Sequence, residues 1–297
     1  MNLNNKLEKY YREGWLIKQI HPTLPLTIWN YSQQTQYEKY WDEITLMCRG
    51  LVTDDTGEIV ARPFKKFFNI EENKHNPTLD YEIYKKMDGS LGIAFYYQDC
   101  WIFASRGSFT SDQAVKGFEM FKKKFQMSHF DKSKTYLFEI IYESNRIVVK
   151  YDTERLVLLG VIGTKSGYEY SLQIYRDNGY DVVEEIKFDK HFSKLKQEIP
   201  DNEEGYVIKF MNGDRCKIKG EEYIRLHRIM TEFSTKSVWE CLYNGEDIYK
   251  ILVDVPDEFF NKIKKYKEKL ENEYRQIEIR AEIRYQKLKQ FKNNRAK

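Results

Sequence analysis

Six charged residues are candidates for chemistry, because each lies within or beside a segment that otherwise reads as an apolar strand. In chain order they are Lys86, Asp88, Glu139, Glu204, Lys217 and Lys219. A lysine beside an Asp-Gly turn presents its amine to a bound phosphate at close range, and glycine lets the backbone approach without a Cβ in the way. The competing interpretation is a hairpin corner with a solvated pair of lysines, Lys85 and Lys86.

Strands must position these candidates, and apolar runs bounded by turn residues predict such strands. The predicted strands that contain or follow the candidates are 93–97, 136–142, 205–210 and 215–219. Glu139 falls within its strand, whereas Glu204 belongs to an acidic turn that feeds the next one. Lys217 and Lys219 share one face of their strand, since side chains alternate with a period of two.

Other segments complete a pattern of short strands and helices. Further strands are predicted over 28–31, 48–52, 58–62, 101–105, 145–149 and 156–162. The strand over 101–105 is expected to pair with the preceding strand across Gln98 and Asp99.

Helix signals lie between these strands. Thr35 is predicted to cap a helix whose apolar face extends to Ile44, and Thr110 with Gln113 has capping-box spacing. The stripe of the second helix, which we interpret as core, consists of Ala114, Phe118, Phe121 and Phe125. Two short helices are expected over 169–178 and 188–197.

The chain turns helical from Glu221 onward, and Pro256 opens a long amphipathic segment. Its apolar positions are Phe259, Ile263, Tyr266, Leu270, Tyr274, Ile277, Ala281, Leu288 and Phe291. From residue 257 to the end there are thirteen Lys and Arg against seven Asp and Glu. We expect this helix to pack on its own domain and to show its basic residues to a phosphate-rich partner, although a solvated helix face is the commoner cause of such an excess.

Composition limits the classes of protein that remain. The chain has 297 residues, of which 41% are hydrophobic and 15% aromatic, with a net charge of +3. That predicts one large domain with an appendage, or two domains, and the small net charge does not by itself argue for nucleic acid. Four widely spaced cysteines without a CxxC motif argue against zinc and disulfides. With no signal-peptide core and no long apolar run, we expect a cytoplasmic protein (host cytoplasm if viral) without a membrane partner.

The order and spacing of the six candidates resemble a known superfamily. Lys86-Met87-Asp88-Gly89, Glu139, Glu204-Gly205 and Lys217-Ile218-Lys219 match the signature of the covalent nucleotidyltransferases, which include ATP-dependent ligases and RNA capping enzymes. The motifs that look like the bacteriophage "RNA ligase 1" type of RNA ligase are Arg49–Val52, Ala61–Phe64, Lys66–Asn69, Arg106–Phe109 and Lys217–Tyr223. Each motif is weak alone, but several in order argue against chance.

The resemblance implies an α+β fold and a reaction. It implies a nucleotidyltransferase (ATP-grasp-like ligase) domain of antiparallel sheets with flanking helices over 1–228, and a small all-α domain over 229–297. The implied activity is ATP-dependent joining of RNA 5′-phosphate and 3′-hydroxyl ends, with tRNA repair as the expected setting. ATP and Mg²⁺, with Mn²⁺ as a substitute, are the implied cofactors, and a monomer is our default. Only 78 residues follow Lys219 and they read as helix, so the β-barrel domain of DNA ligases and capping enzymes is not expected.

Roles for individual residues come from the same resemblance. Lys86 would be the nucleophile that becomes adenylylated, and Asp88 would organise its turn and assist later steps. Glu139 would hold the ribose hydroxyls, and Glu204 would act near the metal or the lysine amine. The remaining nucleotide contacts would come from Arg49, Lys66, Gly89, Lys217, Lys219 and Tyr223.

The chemistry explains why a lysine needs cationic neighbours. A free lysine has a pKa of about 10.4, so only about one amine in a thousand is neutral near pH 7.4. Lowering that pKa to roughly 7–8 recovers two to three powers of ten, equivalent to about 3–4 kcal/mol. Lys217 and Lys219 are expected to contribute by like-charge repulsion and to neutralise charge developing on the α-phosphate.

Less specific interpretations remain for several residues. Lys85 is an alternative nucleophile, and Glu203 is an alternative to Glu204. The residues with a purely structural alternative are Glu139 as a buried acid, Arg49 and Lys66 as surface cations, Tyr223 as a core aromatic and His227 as a packed histidine. For the whole chain, the alternatives are a DNA ligase and a catalytically inactive relative that binds RNA or nucleotide.

Overall fold

A computed structural model describes residues 2–72, 80–145, 148–188, 192–232, 235–246 and 257–294. The chain divides into two compact units, one ending at Tyr223 and the other beginning at Ile224. The assignment of a catalytic domain to 1–228 and a separate helical domain to 229–297 stays a prediction.

Strands dominate the first unit. In chain order they are β1 Leu16–Ile20, β2 Leu26–Tyr31, β3 Arg49–Asp54, β4 Ile59–Ala61, β5 Phe68–Asn69, β6 Tyr81–Lys86, β7 Ser90–Tyr97, β8 Cys100–Ser105, β9 Lys134–Ile141, β10 Arg155–Gly163, β11 Glu169–Tyr170, β12 Gly205–Phe210 and β13 Arg215–Lys219. They form three sheets with the orders β1-β2-β3-β4, β11-β10-β9-β7-β8 and β5-β13-β12-β6. The pairings are antiparallel except for β5 beside β13. The α+β architecture of antiparallel sheets with helices agrees with the prediction.

Helices flank these sheets and make up the described part of the second unit. They are α1 Leu3–Arg12, α2 Gln33–Glu38, α3 Glu43–Met47, α4 Asp112–Lys124, α5 Gln173–Asp177, α6 Glu221–Glu232, α7 Thr235–Tyr243 and α8 Asp257–Asn294. No strand follows Lys219 within the described residues.

The five-stranded sheet carries an aromatic core beneath α4. Phe121 of α4 and Phe125, which caps its C-terminal end, pack against Phe103 of β8 and Phe138 of β9, and all four are buried. This confirms that the α4 stripe is core. At the adjacent β7–β8 turn, Gln98 and Asp99 both have positive φ, which fits the tight hairpin predicted there.

Two helix caps differ from the sequence prediction. Ser32, not Thr35, caps α2, which ends at Glu38, so the apolar residues that follow do not belong to one helix. Ser111 rather than Thr110 caps α4, because its hydroxyl accepts the backbone N–H of Ala114. In both cases a nearby serine, three residues before Thr35 and one after Thr110, has the extended backbone that a cap requires.

Three other predicted elements are corrected. The segment 143–145 is a 3₁₀ turn and 148–149 has no strand, while 146–147 lie outside the described residues. The helix expected over 169–178 is divided into β11 and α5, because residues 169–170 pair with β10. In place of the helix expected over 188–197, Phe192–Glu198 is a 3₁₀ helix and residue 188 is not helical, while 189–191 lie outside the described residues.

The long terminal helix forms as predicted, but most of its apolar face is exposed. Tyr266 and Leu270 are half-buried, whereas every residue from Glu271 to Lys289 is exposed. The expected packing of the apolar face is therefore wrong for that segment. The side chains of 257–263 and 290–294 lie outside the description.

Candidate active site

The ends of three neighbouring strands meet at Gly205, and this brings the charged candidates together. Gly205 at the start of β12 is opposite Lys86 at the end of β6 and opposite Lys219 at the end of β13. Its φ is +141°, and a Cβ there would lie 2.0 Å from the carbonyl oxygen of Ile218. Only glycine permits this approach, so Gly205 lets the preceding Glu204 lie between the two lysines.

Glu204 bridges both lysine ammonium groups. Its Oε2 lies 2.7 Å from Lys86 Nζ and its Oε1 lies 2.9 Å from Lys219 Nζ, while the side chain is 3% exposed. Burial raises the pKa of Glu204, but the two ammonium groups outweigh burial and hold the pKa below its usual value. The structure therefore places Glu204 against the lysine amine, while its role there or at a metal stays a prediction.

The pKa of Lys86 differs from the expectation. Burial lowers it, yet the carboxylates of Glu204 and Glu139 outweigh burial and leave the pKa above that of a free lysine. Repulsion from Lys217 and Lys219 was expected to lower this pKa, and that expectation is wrong for the protein without nucleotide. Lys86 is held here as an ammonium.

Lys85 and Glu203, the alternatives to Lys86 and Glu204, pair with each other. Lys85 Nζ lies 2.5 Å from Glu203 Oε1. The buried carboxylate of Glu204 therefore contacts Lys86 and not Lys85.

Asp88 fastens the turn that follows Lys86. Its Oδ2 accepts the backbone N–H groups of Val148 and Val149, both at 2.8 Å, and its own backbone N–H donates to the hydroxyl of Tyr151 at 2.9 Å. The hydroxyl of Tyr223 donates to Asp88 Oδ1 at 2.9 Å. Asp88 thus organises the turn as predicted, while a part in later steps stays a prediction.

Tyr223 is placed differently from the sequence interpretation. It is 2% exposed and lies behind the turn against Asp88, with Lys219 Nζ 4.8 Å from its ring centroid. A contact with a triphosphate from this buried position is not supported, and the core-aromatic interpretation describes Tyr223 better.

Glu139 lies in the same cleft, opposite Leu91 in the pairing of β9 with β7. A Cβ at Gly89 would lie 2.6 Å from the carbonyl oxygen of Ile140 and 3.1 Å from Glu139 Cγ, so glycine is needed at this crossing. Burial raises the pKa of Glu139 to about 7, although Lys86 opposes this shift. Near neutral pH the Glu139 carboxyl is therefore present in both its protonated and its ionised form.

Three cations line another part of the cleft without an ion pair. Arg49, Lys66 and Lys217 border a cavity of about 800 Å³ that also contains Lys86 and Glu139. Within the described ranges none of the three forms an ion pair. Burial and then repulsion from Lys66 and Lys219 lower the pKa of Lys217 to about 8. Burial also lowers the pKa of Arg49.

Sequence reasoning missed two features of the cleft. Arg106, in the turn after β8, lines the cavity, and its Nη1 is 3.5 Å from the Tyr31 hydroxyl. Arg215 pairs with Glu169 at 2.5 Å and so joins two sheets across the cavity. The cation in the Ser105-Arg106-Gly107-Ser108 turn was a sequence signal for Arg106, but nothing in the sequence indicated that Arg215 pairs with Glu169.

Oxygen ligands for a metal are few in this arrangement. Within the residues described, no cluster of three or more His, Cys, Asp or Glu side chains has a geometry that suits a metal ion. Glu204 has the hard oxygens that Mg²⁺ prefers, but both are engaged by lysines. None of the described helices is both long and apolar enough to span a bilayer.

Comparison with known proteins identifies the family. The sequence profile of the RNA ligase family matches residues 47–224, which is more than half of the chain. The chain therefore belongs to the RNA ligase family. The match includes all six charged candidates that the sequence singled out.

Individual relatives are distant. The chain is 27% identical over 240 residues to a bifunctional polynucleotide kinase/RNA ligase of Autographa californica nuclear polyhedrosis virus, covering 68% of this chain and 34% of that protein. It is 20% identical over 294 residues to the RNA ligase of Rhodothermus phage RM378, covering 72% and 66% respectively. The chain thus spans from about a third to about two thirds of the length of these relatives.

A solved structure shows the same fold. An archaeal ATP-dependent RNA ligase superposes with a TM-score of 0.57 at 13% identity, covering 88% of this chain and 74% of that one. This agreement confirms the predicted nucleotidyltransferase fold. The roles of single residues stay predictions, because this likeness shows the fold alone.

The raised pKa of Glu139 predicts a pH-dependent effect on stability. A carboxyl with a folded-state pKa of about 7 and a usual value of 4.5 stabilises the fold at low pH, and this stability is lost as pH rises through 7. At pH 8, Glu139→Gln should therefore raise the free energy of unfolding by about 3 kcal/mol, and the gain should vanish below about pH 4.5. Denaturant unfolding over this pH range measures the difference. Glu119→Gln, at an exposed position of α4, is the control, and an equal gain at every pH would contradict the assignment.

The lowered pKa of Lys217 predicts pH-dependent anion binding. Above pH 8 Lys217 loses its charge, so binding of α,β-methylene-ATP should weaken by up to about tenfold per pH unit. Titration calorimetry from about pH 7 to about pH 9.5 checks this, a range in which an ordinary lysine stays charged. Lys217→Met should bind more weakly and without that slope. An unchanged slope in Lys217→Met would assign the titration to another group.

Proposed function

We propose that this protein is an ATP-dependent RNA ligase that joins an RNA 5′-phosphate to a 3′-hydroxyl through a lysyl-AMP intermediate. One observation carries the proposal: Lys86 lies in a cleft that also contains three cations, Arg49, Lys66 and Lys217, that form no ion pair within the described chain. An amine facing unneutralised cations suits attack on a polyphosphate. Membership of the RNA ligase family supports the same activity.

The first step transfers AMP to the protein. The neutral amine of Lys86 attacks the α-phosphorus of ATP, the N–P bond forms, and the bond from that phosphorus to the bridging oxygen breaks. Pyrophosphate leaves with the electron pair, and the amine loses a proton to solvent or to a nearby carboxylate. Arg49, Lys66 and Lys217 stabilise charge on the phosphates, because preorganised cations lower the energy of such a transition state.

The next two steps involve RNA. An oxygen of the RNA 5′-phosphate attacks the α-phosphorus of lysyl-AMP, the N–P bond breaks and Lys86 regains a proton. The 3′-hydroxyl of a second end then attacks the 5′-phosphorus, loses its proton and expels AMP. Arg106 at the edge of the cleft is a further cation that RNA phosphates could meet.

Mg²⁺, with Mn²⁺ as a substitute, is the proposed metal. When bound, it would neutralise charge on the phosphate oxygens. Glu204 is the candidate protein ligand. It would bind the metal only after at least one of its carboxylate oxygens has separated from the lysine with which it pairs. Phosphate oxygens and water are therefore expected to supply most ligands, as is usual for Mg²⁺ with nucleotides.

Two alternatives stay open for the whole protein. A DNA ligase would use the same first step, so only the strands offered can separate it from an RNA ligase. An inactive relative that binds nucleotide or RNA would keep the scaffold without the chemistry. We favour the RNA ligase, with tRNA as a candidate substrate and a monomer as the working form, because each catalytic residue type lies in the cleft or against the turn that follows Lys86.

Labelling with α-³²P-ATP and a divalent ion tests the first step. The wild-type protein should retain the label in denaturing electrophoresis, and Lys86→Ala should lose it, because among the described residues the only amine besides Lys86 that contacts the carboxylate of Glu204 is that of Lys219. Lys85→Ala is the matched control, since Lys85 is paired with Glu203. A labelled Lys86→Ala protein would refute the nucleophile assignment.

The labelled protein then separates the alternatives. Offered 5′-phosphorylated RNA and DNA strands, an RNA ligase seals RNA and a DNA ligase seals DNA. Protein that binds ATP without becoming labelled would favour the inactive relative.

A further inference from the structure

Lys66 is held by aromatic rings instead of a carboxylate. Its Nζ lies 5.3 Å from the ring centroid of Tyr31, 5.6 Å from that of Trp41 and 5.2 Å from that of Phe68. Within the described residues Lys66 forms no ion pair. Three rings around one ammonium form a cation–π cage, since the ring faces carry partial negative charge.

The rings support one another. Trp41 meets Tyr31 edge to face at 5.1 Å and meets Phe68 edge to face at 5.2 Å. Trp41 follows α2, Tyr31 ends β2 and Phe68 begins β5, so the cage joins three separate elements. This arrangement fixes the rings with respect to each other before any ligand binds.

The backbone around Lys66 is also fixed. Its N–H donates to the carbonyl oxygen of Leu46 in α3 at 2.7 Å. Asn69, in the same strand as Phe68, pairs with Lys217 of β13. The cage therefore holds Lys66 beside Lys217, whose pKa it lowers.

Only part of the cage faces the cleft. Lys66 and Tyr31 line it, whereas Trp41 and Phe68 are not among its lining residues. Trp41 and Phe68 thus contact the ammonium from behind. Their effect on a ligand would act through Lys66.

Aromatic rings hold a cation without neutralising it, and this distinguishes Lys66 from its neighbours. Lys86 and Lys219 share the negative charge of Glu204, whereas Lys66 keeps its full charge for a ligand. We propose that Tyr31, Trp41 and Phe68 are positioning residues that aim the Lys66 ammonium at the β- and γ-phosphates of ATP. This inference rests on the proposed function. It adds which residues position the lysine that would contact the triphosphate.

A single-turnover assay tests the cage. Trp41→Leu should raise the ATP concentration for half-maximal adenylylation of Lys86 by about tenfold, as expected for loss of one partly desolvated cation–π contact. Trp41→Phe keeps a ring and should show a smaller rise. Tyr37→Leu, at a position 87% exposed on the preceding helix, is the control and should behave as wild type.

A second substrate separates positioning from general damage. Pre-adenylylated RNA, sealed without ATP, contains no β- or γ-phosphate, so Trp41→Leu should seal it at a rate within about twofold of wild type. In a Lys66→Met background, Trp41→Leu should add little to the loss of ATP affinity, because residues that act through one another are not additive. Phe68→Leu should reproduce both results.

Each contrary outcome is distinct. Equal loss of adenylylation and of sealing would show that Trp41 only supports the fold. The positioning role of the cage would also be overturned if Trp41→Leu and Phe68→Leu left the ATP dependence unchanged. The same holds if the effects of Trp41→Leu and Lys66→Met on ATP affinity were fully additive. Wild-type protein that is never labelled would instead refute the proposed function, so the two failures are distinguishable.

Discussion

One buried carboxylate holding two ammonium groups is the interaction on which the cleft depends. A buried charge is stable only when it is paired, and Glu204, at 3% exposed, is paired with both Lys86 and Lys219. The pairing requires three strands to end in register, and that register requires a glycine at 205. The charge pairing in the cleft therefore depends directly on the backbone geometry of the sheet that contains β6, β12 and β13.

Five of the cations that line the cleft fall into two groups. Lys86 and Lys219 are neutralised by Glu204, whereas Arg49, Lys66 and Lys217 have no such partner in the described chain. The second group is held in other ways: Lys66 by rings, and Lys217 by its place in β13. Burial and then repulsion from neighbouring cations lower the pKa of Lys217, so holding its charged form in the cleft costs free energy. An anionic ligand would relieve that cost, and the free energy released would contribute to binding of the ligand.

Much of this site was predictable from the sequence, because its residues lie within or beside apolar strand segments. The period of two placed Lys217 and Lys219 on one face, and the Asp-Gly turn placed Lys86 just before β7, although the strand β6 that ends at Lys86 was not predicted. Strand order and register were not predictable, since they depend on which apolar faces meet. For that reason the sequence did not show that Gly205 faces both lysines.

Contacts between distant segments were also beyond the sequence. The hydrogen bond of Tyr223 to Asp88 and the contact of Trp41 with Lys66 join residues whose spacing carries no signal. The misplaced helix caps have a local cause: Ser32 and Ser111 compete with nearby threonines, and only the backbone conformation decides between them.

The raised pKa of Lys86 has a consequence for how the amine is released. Glu204 divides its charge between two lysines, so an anion that draws Lys219 away leaves Glu204 to hold Lys86 more strongly. An anion alone therefore does not free the nucleophile. Release requires that negative charge beside Lys86 be reduced, at Glu204 by a proton or another cation, or at Glu139 by a proton. Protonation of Glu204 is disfavoured, because its pKa lies below the usual value, so a competing cation is the route that the geometry leaves at Glu204.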